Sequence, residues 1–136
     1  MTNIDEKLER LIDANLNRLK EGIRVIEDIN RYIYEDKSIS SSLKDLRHEL
    51  QLAYNQNRLN FRDIEGDILK ESTNSEMIRE NIDDLIIANF SRSQESARVL
   101  EECFKLTDTN LSNISKNIRY RLYNIEKLFF INRKSK

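Results

Sequence analysis

The chain has 136 residues, with 23 basic and 24 acidic side chains, no Pro, two Gly, one Cys and one His. So even a balance excludes the one-signed field that draws nucleic acid or an anionic membrane, and a lone Cys excludes an internal disulfide or a Cys-rich zinc site. Few breakers and 35% charged residues suit long helices with solvated faces, so the chain reads as all-α and, at this length, as one domain over 1–136. The start, MTNIDEKLER, lacks an apolar h-region, and no apolar run approaches the ~18 residues of a spanning helix. The expected location is the cytoplasm.

The first predicted helix covers about 5–34, opened by Asn3 with Glu6 at capping-box spacing, and "EDKSISSS" breaks it. The second covers about 42–57, with Leu43, Leu46, Leu50 and Tyr54 on one face. A loop over 58–74, with "NFRDIEGDILKESTN" at 60–74, contains Gly66. The third helix starts near Ser75, with Thr73 and Glu76 as a second capping pair, and reaches about Lys105. After "LTDTN" the fourth runs from about Leu111 to Asn132, its stripe set by Leu111, Ile114, Ile118, Leu122, Ile125 and Phe129.

An offset of 74 superposes the first helix on the third: Leu11/Leu85, Ala14/Ala88, Asn15/Asn89, Arg18/Arg92, Glu21/Glu95, Arg24/Arg98, Val25/Val99 and Glu27/Glu101 are identical. An offset of 72 relates Leu46-Arg47 to Ile118-Arg119. The unit is a helical hairpin present twice, about 5–57 and 75–132, and two such hairpins can close as a four-helix arrangement with pseudo-two-fold symmetry.

Inside the repeat runs a polar ladder, Asn-x-x-Arg-x-x-Glu-x-x-Arg-x-x-Glu. A step of three falls ~60° short of a turn, so the ladder winds around its helix. Phase places Asn15 and Asn89 within the apolar arc, Arg18 and Arg92 at its border, Glu21 and Glu95 just beyond, and Arg24, Glu27, Arg98 and Glu101 on the outer face. Outer rungs at i,i+3 read as solvated decoration. A buried amide needs a partner, so Asn15 and Asn89 bond each other or a ligand, and the nearby guanidinium forks suit a carboxylate or phosphate. Arg47 and Arg119 either extend that basic cluster or pair with Glu21 and Glu95. His48 reads as a surface residue.

The loop "RDIEGD" offers Asp63, Glu65 and Asp67 beside Arg62. Three carboxylates could share Mg²⁺ with waters; the competing reading is an Asx-type turn around Gly66. No Gly-rich phosphate loop is present, so phosphoryl chemistry would rest on Arg, Mg²⁺ and helix N-termini.

The blocks "LIDANLNRLKEGIRVIEDINRY", "LKDLRHEL", "RDIEGD", "SEM", "ANFSRSQESARVLEE" and "IRYRLYNIEK" occur in that order. Together, from about Leu11 to Leu128, they resemble the helical domain fused in some bacteria ahead of thiamine phosphate synthase. That family is described as a monofunctional hydroxymethylpyrimidine phosphate kinase. The resemblance implies phosphoryl transfer from ATP, with Mg²⁺, to 4-amino-5-hydroxymethyl-2-methylpyrimidine phosphate, giving the diphosphate in thiamine biosynthesis. No (βα)₈ sequence follows, so coupling to the next step is not expected within this chain.

The resemblance assigns no residue roles; chemistry suggests them. Arg18, Arg47, Arg62, Arg92 and Arg119 would hold phosphates, Asn15 or Asn89 would read the pyrimidine, and Glu21 or Glu95 would position the attacking oxygen. Asp63, Glu65 and Asp67 would hold Mg²⁺. The competing expectations are an ATP-independent enzyme, or a non-catalytic module that binds a thiamine-pathway enzyme or dimerises through Arg24/Glu27 and Arg98/Glu101. A thiamine phosphate synthase label by association is a further one, and a homodimer would suit a small helical enzyme.

Overall fold

A computed structural model describes residues 3–71 and 78–134, and every regular element among them is helical. Helix α1 spans Asn3–Tyr32 and α2 Lys37–Glu49. Two 3₁₀ segments follow, Leu50–Ala53 and Gln56–Phe61. Helix α3 spans Ile82–Phe104 and α4 Thr109–Lys134. The capping pairs expected at Asn3–Glu6 and Thr73–Glu76 lie wholly or partly outside the described residues, but residues 78–81 are not helical, so α3 begins at Ile82 and not near Ser75, with Asn81 as its cap accepting the Asp84 N–H at 2.8 Å.

Local chemistry sets the boundaries. Glu35 takes a left-handed φ of 52°, which turns the chain out of α1, and the Asp36 N–H closes on the Asn30 carbonyl at 2.8 Å. Asp36 then caps α2, its carboxylate accepting the Ile39 N–H at 2.9 Å. The Ser-rich stretch expected to break the chain is therefore the first turns of α2. Asp108 repeats the device before α4, accepting from the Asn110 and Leu111 N–H groups.

The core is continuous across all four helices. Ile12, Leu19, Ile23 and Ile26 of α1 meet Leu43 and Leu46 of α2, Phe90, Ala97 and Leu100 of α3, and Ile118, Leu122 and Phe129 of α4. Arg58 ties the start of α1 to the end of α3: it donates to Glu9 at 2.6 Å and lies 5.7 Å over the Phe104 ring. At the other end Arg133 pairs with Asp83 and lies over Tyr34, whose ring meets Phe129 edge-on. Helices α1 and α3 are therefore antiparallel. They approach closely at Gly22, where an added Cβ would stand 2.3 Å from Ser93 Oγ.

Several contacts recur in both halves. Glu27 pairs with Arg47, and Glu101 with Arg119. The Asn15 and Asn89 amides donate to the Leu11 and Leu85 carbonyls. The halves are otherwise unequal, since α2 gives way to 3₁₀ turns after 13 residues whereas α4 runs for 26. Among the described residues no helix is long and apolar enough to cross a membrane.

Candidate functional site

The polar ladder divides differently from its predicted phase. Glu27 and Glu101 do not face solvent; they are 2% and 5% exposed. Helix α1 is covered on two sides, by α2 and α3, so its buried arc is wider than its apolar stripe. Glu27 accepts both Nε and Nη2 of Arg47, at 2.8 and 3.2 Å, and that bond raises the Arg47 pKa. Arg119 donates twice to one Glu101 oxygen, at 3.1 and 2.9 Å. Arg47 and Arg119 thus lock helices together, with Glu27 and Glu101 as partners in place of the expected Glu21 and Glu95. Asn15 and Asn89 donate their amide N–H groups to their own helices and do not bond each other. Arg24 and Arg98 are exposed and pair within their helices.

Arg18, Glu21 and Arg92 are left exposed without an ionic or hydrogen-bonded partner among the described residues. Glu95 is exposed too and accepts only the Ser91 hydroxyl, at 3.1 Å. A shallow cleft beside α4, lined by Ser91, Gln94, Glu95, Arg98 and Tyr123, contains Glu95.

Arg18 and Glu21 line a larger cavity of about 600 Å³ between α1 and the turn 62–68. The turn is held against α1 by a fork: Arg62 Nε and Nη2 reach the two Asp13 oxygens at 2.7 and 2.8 Å. Asp13 is buried at 8% exposure, and its bond raises the Arg62 pKa. Arg10 Nη2 adds a bond to the Asp63 carbonyl at 2.8 Å. Arg62 is therefore a strap, where phosphate binding had been expected. Asp13, Arg10 and Arg58 escaped sequence reasoning because each contact spans about 50 residues and joins α1 to the stretch 58–63 outside the α-helices, where no periodicity registers.

The lining is amphipathic: α1 contributes Leu11 and Ala14 with Lys7, Arg18 and Glu21, and the turn contributes Ile64 and Ile68 with Asp63 and Asp67. The three loop acids are not gathered around one point. Asp63 accepts the Gly66 N–H at 2.8 Å, Asp67 the Leu69 N–H at 3.0 Å, and Glu65 pairs with Lys70. Among the described residues no group of three His, Cys, Asp or Glu side chains could hold a metal ion. The Asx-turn reading is the one the geometry fits. Any Mg²⁺ here would have to arrive on a ligand's phosphates and take at most one or two carboxylates.

The fold and cavity define a small all-α domain with an amphipathic pocket bearing two uncommitted cations. Residues 10–128 match the ThiD2 family, and the chain belongs to it. It is 40% identical over 128 residues to a thiamine-phosphate synthase of Thermosynechococcus vestitus, covering 93% of this chain and 36% of that protein. The corresponding protein of Synechocystis is 35% identical, covering 88% and 35%; that of Rhodopirellula baltica is 36% identical, covering 90% and 34%. The chain thus spans about a third of the length of the curated relatives it matches. No solved structure matches it.

Proposed function

We propose that the chain is a phosphotransferase of thiamine biosynthesis, passing a phosphoryl group from ATP to hydroxymethylpyrimidine phosphate in the α1–turn cavity. The observation that carries this reading is the cavity's mixed lining, in which unpaired Arg18 and Lys7 stand among Leu11, Ala14, Ile64 and Ile68. An aromatic ring bearing a phosphate needs both an apolar wall and a cation. The family membership and the relatives' printed names support the pathway.

In this reading Arg18 and Lys7 hold the monophosphate and neutralise charge as the transfer proceeds. An oxygen of the monophosphate attacks the γ-phosphorus, the bond to the β-phosphate oxygen breaks, and ADP leaves. That oxygen is already ionised near neutral pH, so no general base is required. Glu21 is better used to accept the pyrimidine amino N–H, the role first expected of Asn15. The Asp13–Arg62 pair fixes the wall. The residues do not form a magnesium site of their own, and no step is assigned to one.

Incubation of the purified chain with Mg-ATP and the pyrimidine monophosphate, following ADP and diphosphate, tests the reading. Turnover is expected, and Arg18→Ala should lower kcat/KM by about a hundredfold, the weight of a charged phosphate contact, with unchanged melting. Absence of turnover and of ligand-induced thermal stabilisation would remove it. A second reading, a helical module serving thiamine-phosphate synthase, is favoured by the chain's match to only a third of proteins so named. It predicts an inactive chain that binds the synthase.

A further inference from the structure

Duplicated residues fall into two groups once their contacts are known. Asn15/Asn89, Arg24/Arg98 and Glu27/Glu101 all make bonds inside the protein. Leu11, Ala14, Arg18, Glu21 and Val25 recur as Leu85, Ala88, Arg92, Glu95 and Val99, and internal contacts account only for Glu95, which accepts the Ser91 hydroxyl, and in part for Val99, which packs against the core. Each set is spaced three, four, three and four, the a/d seam of a heptad, and such a seam winds along one face of its helix.

That face looks outward. Leu11, Arg18, Glu21 and Val25 are exposed, and Ala14 is half-buried. In α3, Arg92 and Glu95 are exposed, and Leu85, Ala88 and Val99 half-buried. The opposite flanks, Leu19, Ile23 and Ile26 of α1 with Phe90, Ala97 and Leu100 of α3, are the buried core. Because α1 and α3 run antiparallel with Gly22 level with Asn89 and Ser93, Arg18 stands level with Glu95, and Glu21 with Arg92. The two seams therefore lie side by side as one surface, with aliphatic ends and a charged middle.

We infer that this surface seats a second copy of the same chain, the four seams closing as an antiparallel bundle. Its charge pattern selects that occupant. Each seam presents one Arg and one Glu, so a two-fold partner sets guanidinium against carboxylate at every level. Aliphatic Leu, Ala and Val at the remaining seam positions suit a helix partner's knobs-into-holes packing. Leu11, Ala14, Arg18 and Glu21 also line the α1–turn cavity, so the second copy and a ligand in that cavity compete for Arg18 and Glu21, and the ligand-free chain is the one that pairs.

Sedimentation equilibrium of the ligand-free chain tests this independently of any catalysis. A dimer is expected, and Val25→Glu should weaken it at least about tenfold with unchanged helicity and melting, since Val25 is 37% exposed. A chain with Val25→Glu and Val99→Glu should be monomeric, and mixing it with one carrying Val25→Lys and Val99→Lys should restore a dimer. A monomeric wild-type chain, a dimer indifferent to Val25→Glu, or a monomer that pairs only with a thiamine-phosphate synthase would each overturn the inference. None of these outcomes depends on whether the chain turns over ATP.

Discussion

Glu27 shows how far a single residue's role can depart from its helical phase. Measured against α1 alone it belongs to the polar face, yet α2 covers it and Arg47 meets it from the neighbouring helix. Removing one partner of such a pair leaves the other charge poorly solvated. Glu27→Gln should cost about 2–4 kcal/mol, discounted toward the lower end because the Arg47 side chain keeps 19% exposure. Replacing both, Glu27→Met with Arg47→Leu, should recover most of it. Urea unfolding of the three proteins checks this, and a Glu27→Gln variant as stable as the parent would refute it. Gly22 is a second case. Its conservative counterpart in the repeat, Ser96, told nothing of the backbone approach to Ser93 and Asn89. Gly22→Ala should destabilise by about 1–3 kcal/mol. Ser93→Ala should relieve much of this, since Ser93 Oγ is buried without a partner and is the atom a new Cβ would strike. Cys103, whose thiol burial pushes up, should stay unreactive to a thiol reagent until the chain unfolds.

At the scale of elements, the four α-helices were legible because each carries an apolar stripe of several turns, as in Leu43–Leu46–Leu50 and Ile118–Leu122–Ile125–Phe129. The boundaries were less so. Glu35 in a left-handed turn and Asp36 as a cap start α2 at Lys37, where a Ser-rich stretch had suggested a break. The cavity was half legible: the repeat pointed to Arg18 and Glu21, but not to the strap that builds the opposite wall. That strap joins Asp13 to Arg62 across 49 residues, a pairing set by the packing of irregular chain. Asp13→Asn would remove one charge of a partly exposed pair, in which Arg62 keeps 34% side-chain exposure. It should lower global stability by no more than about 1 kcal/mol. Hydrogen exchange over the turn 62–70 should nonetheless accelerate, and affinity for the pyrimidine phosphate should fall about tenfold. Unchanged exchange in the variant would show that the fork does not hold the turn.

For the molecule as a whole, the repeated sequence of α1 and α3 raises the question of whether each half is a folding unit. The contacts argue against it. Ile12, Leu19, Ile23 and Ile26 of α1 share one core with Phe90, Ala97 and Leu100 of α3, and Gly22 lets the two helices close to backbone distance. Arg58 and Arg133 clamp the two ends from opposite halves. A hairpin cut free would expose the apolar flank that the other half covers, and a chain of about half this length buries too little surface to offset its lost conformational entropy. Fragments ending at Glu71 and beginning at Ile78 should therefore each show little helix by far-UV circular dichroism. Mixed in equal amounts they should regain helicity and melt cooperatively, with a midpoint that rises with concentration as bimolecular association requires. The intact chain should melt in one transition. If either fragment melted cooperatively alone, the core would divide at the repeat boundary, and the α1–α3 crossing would be a docking contact between two finished domains.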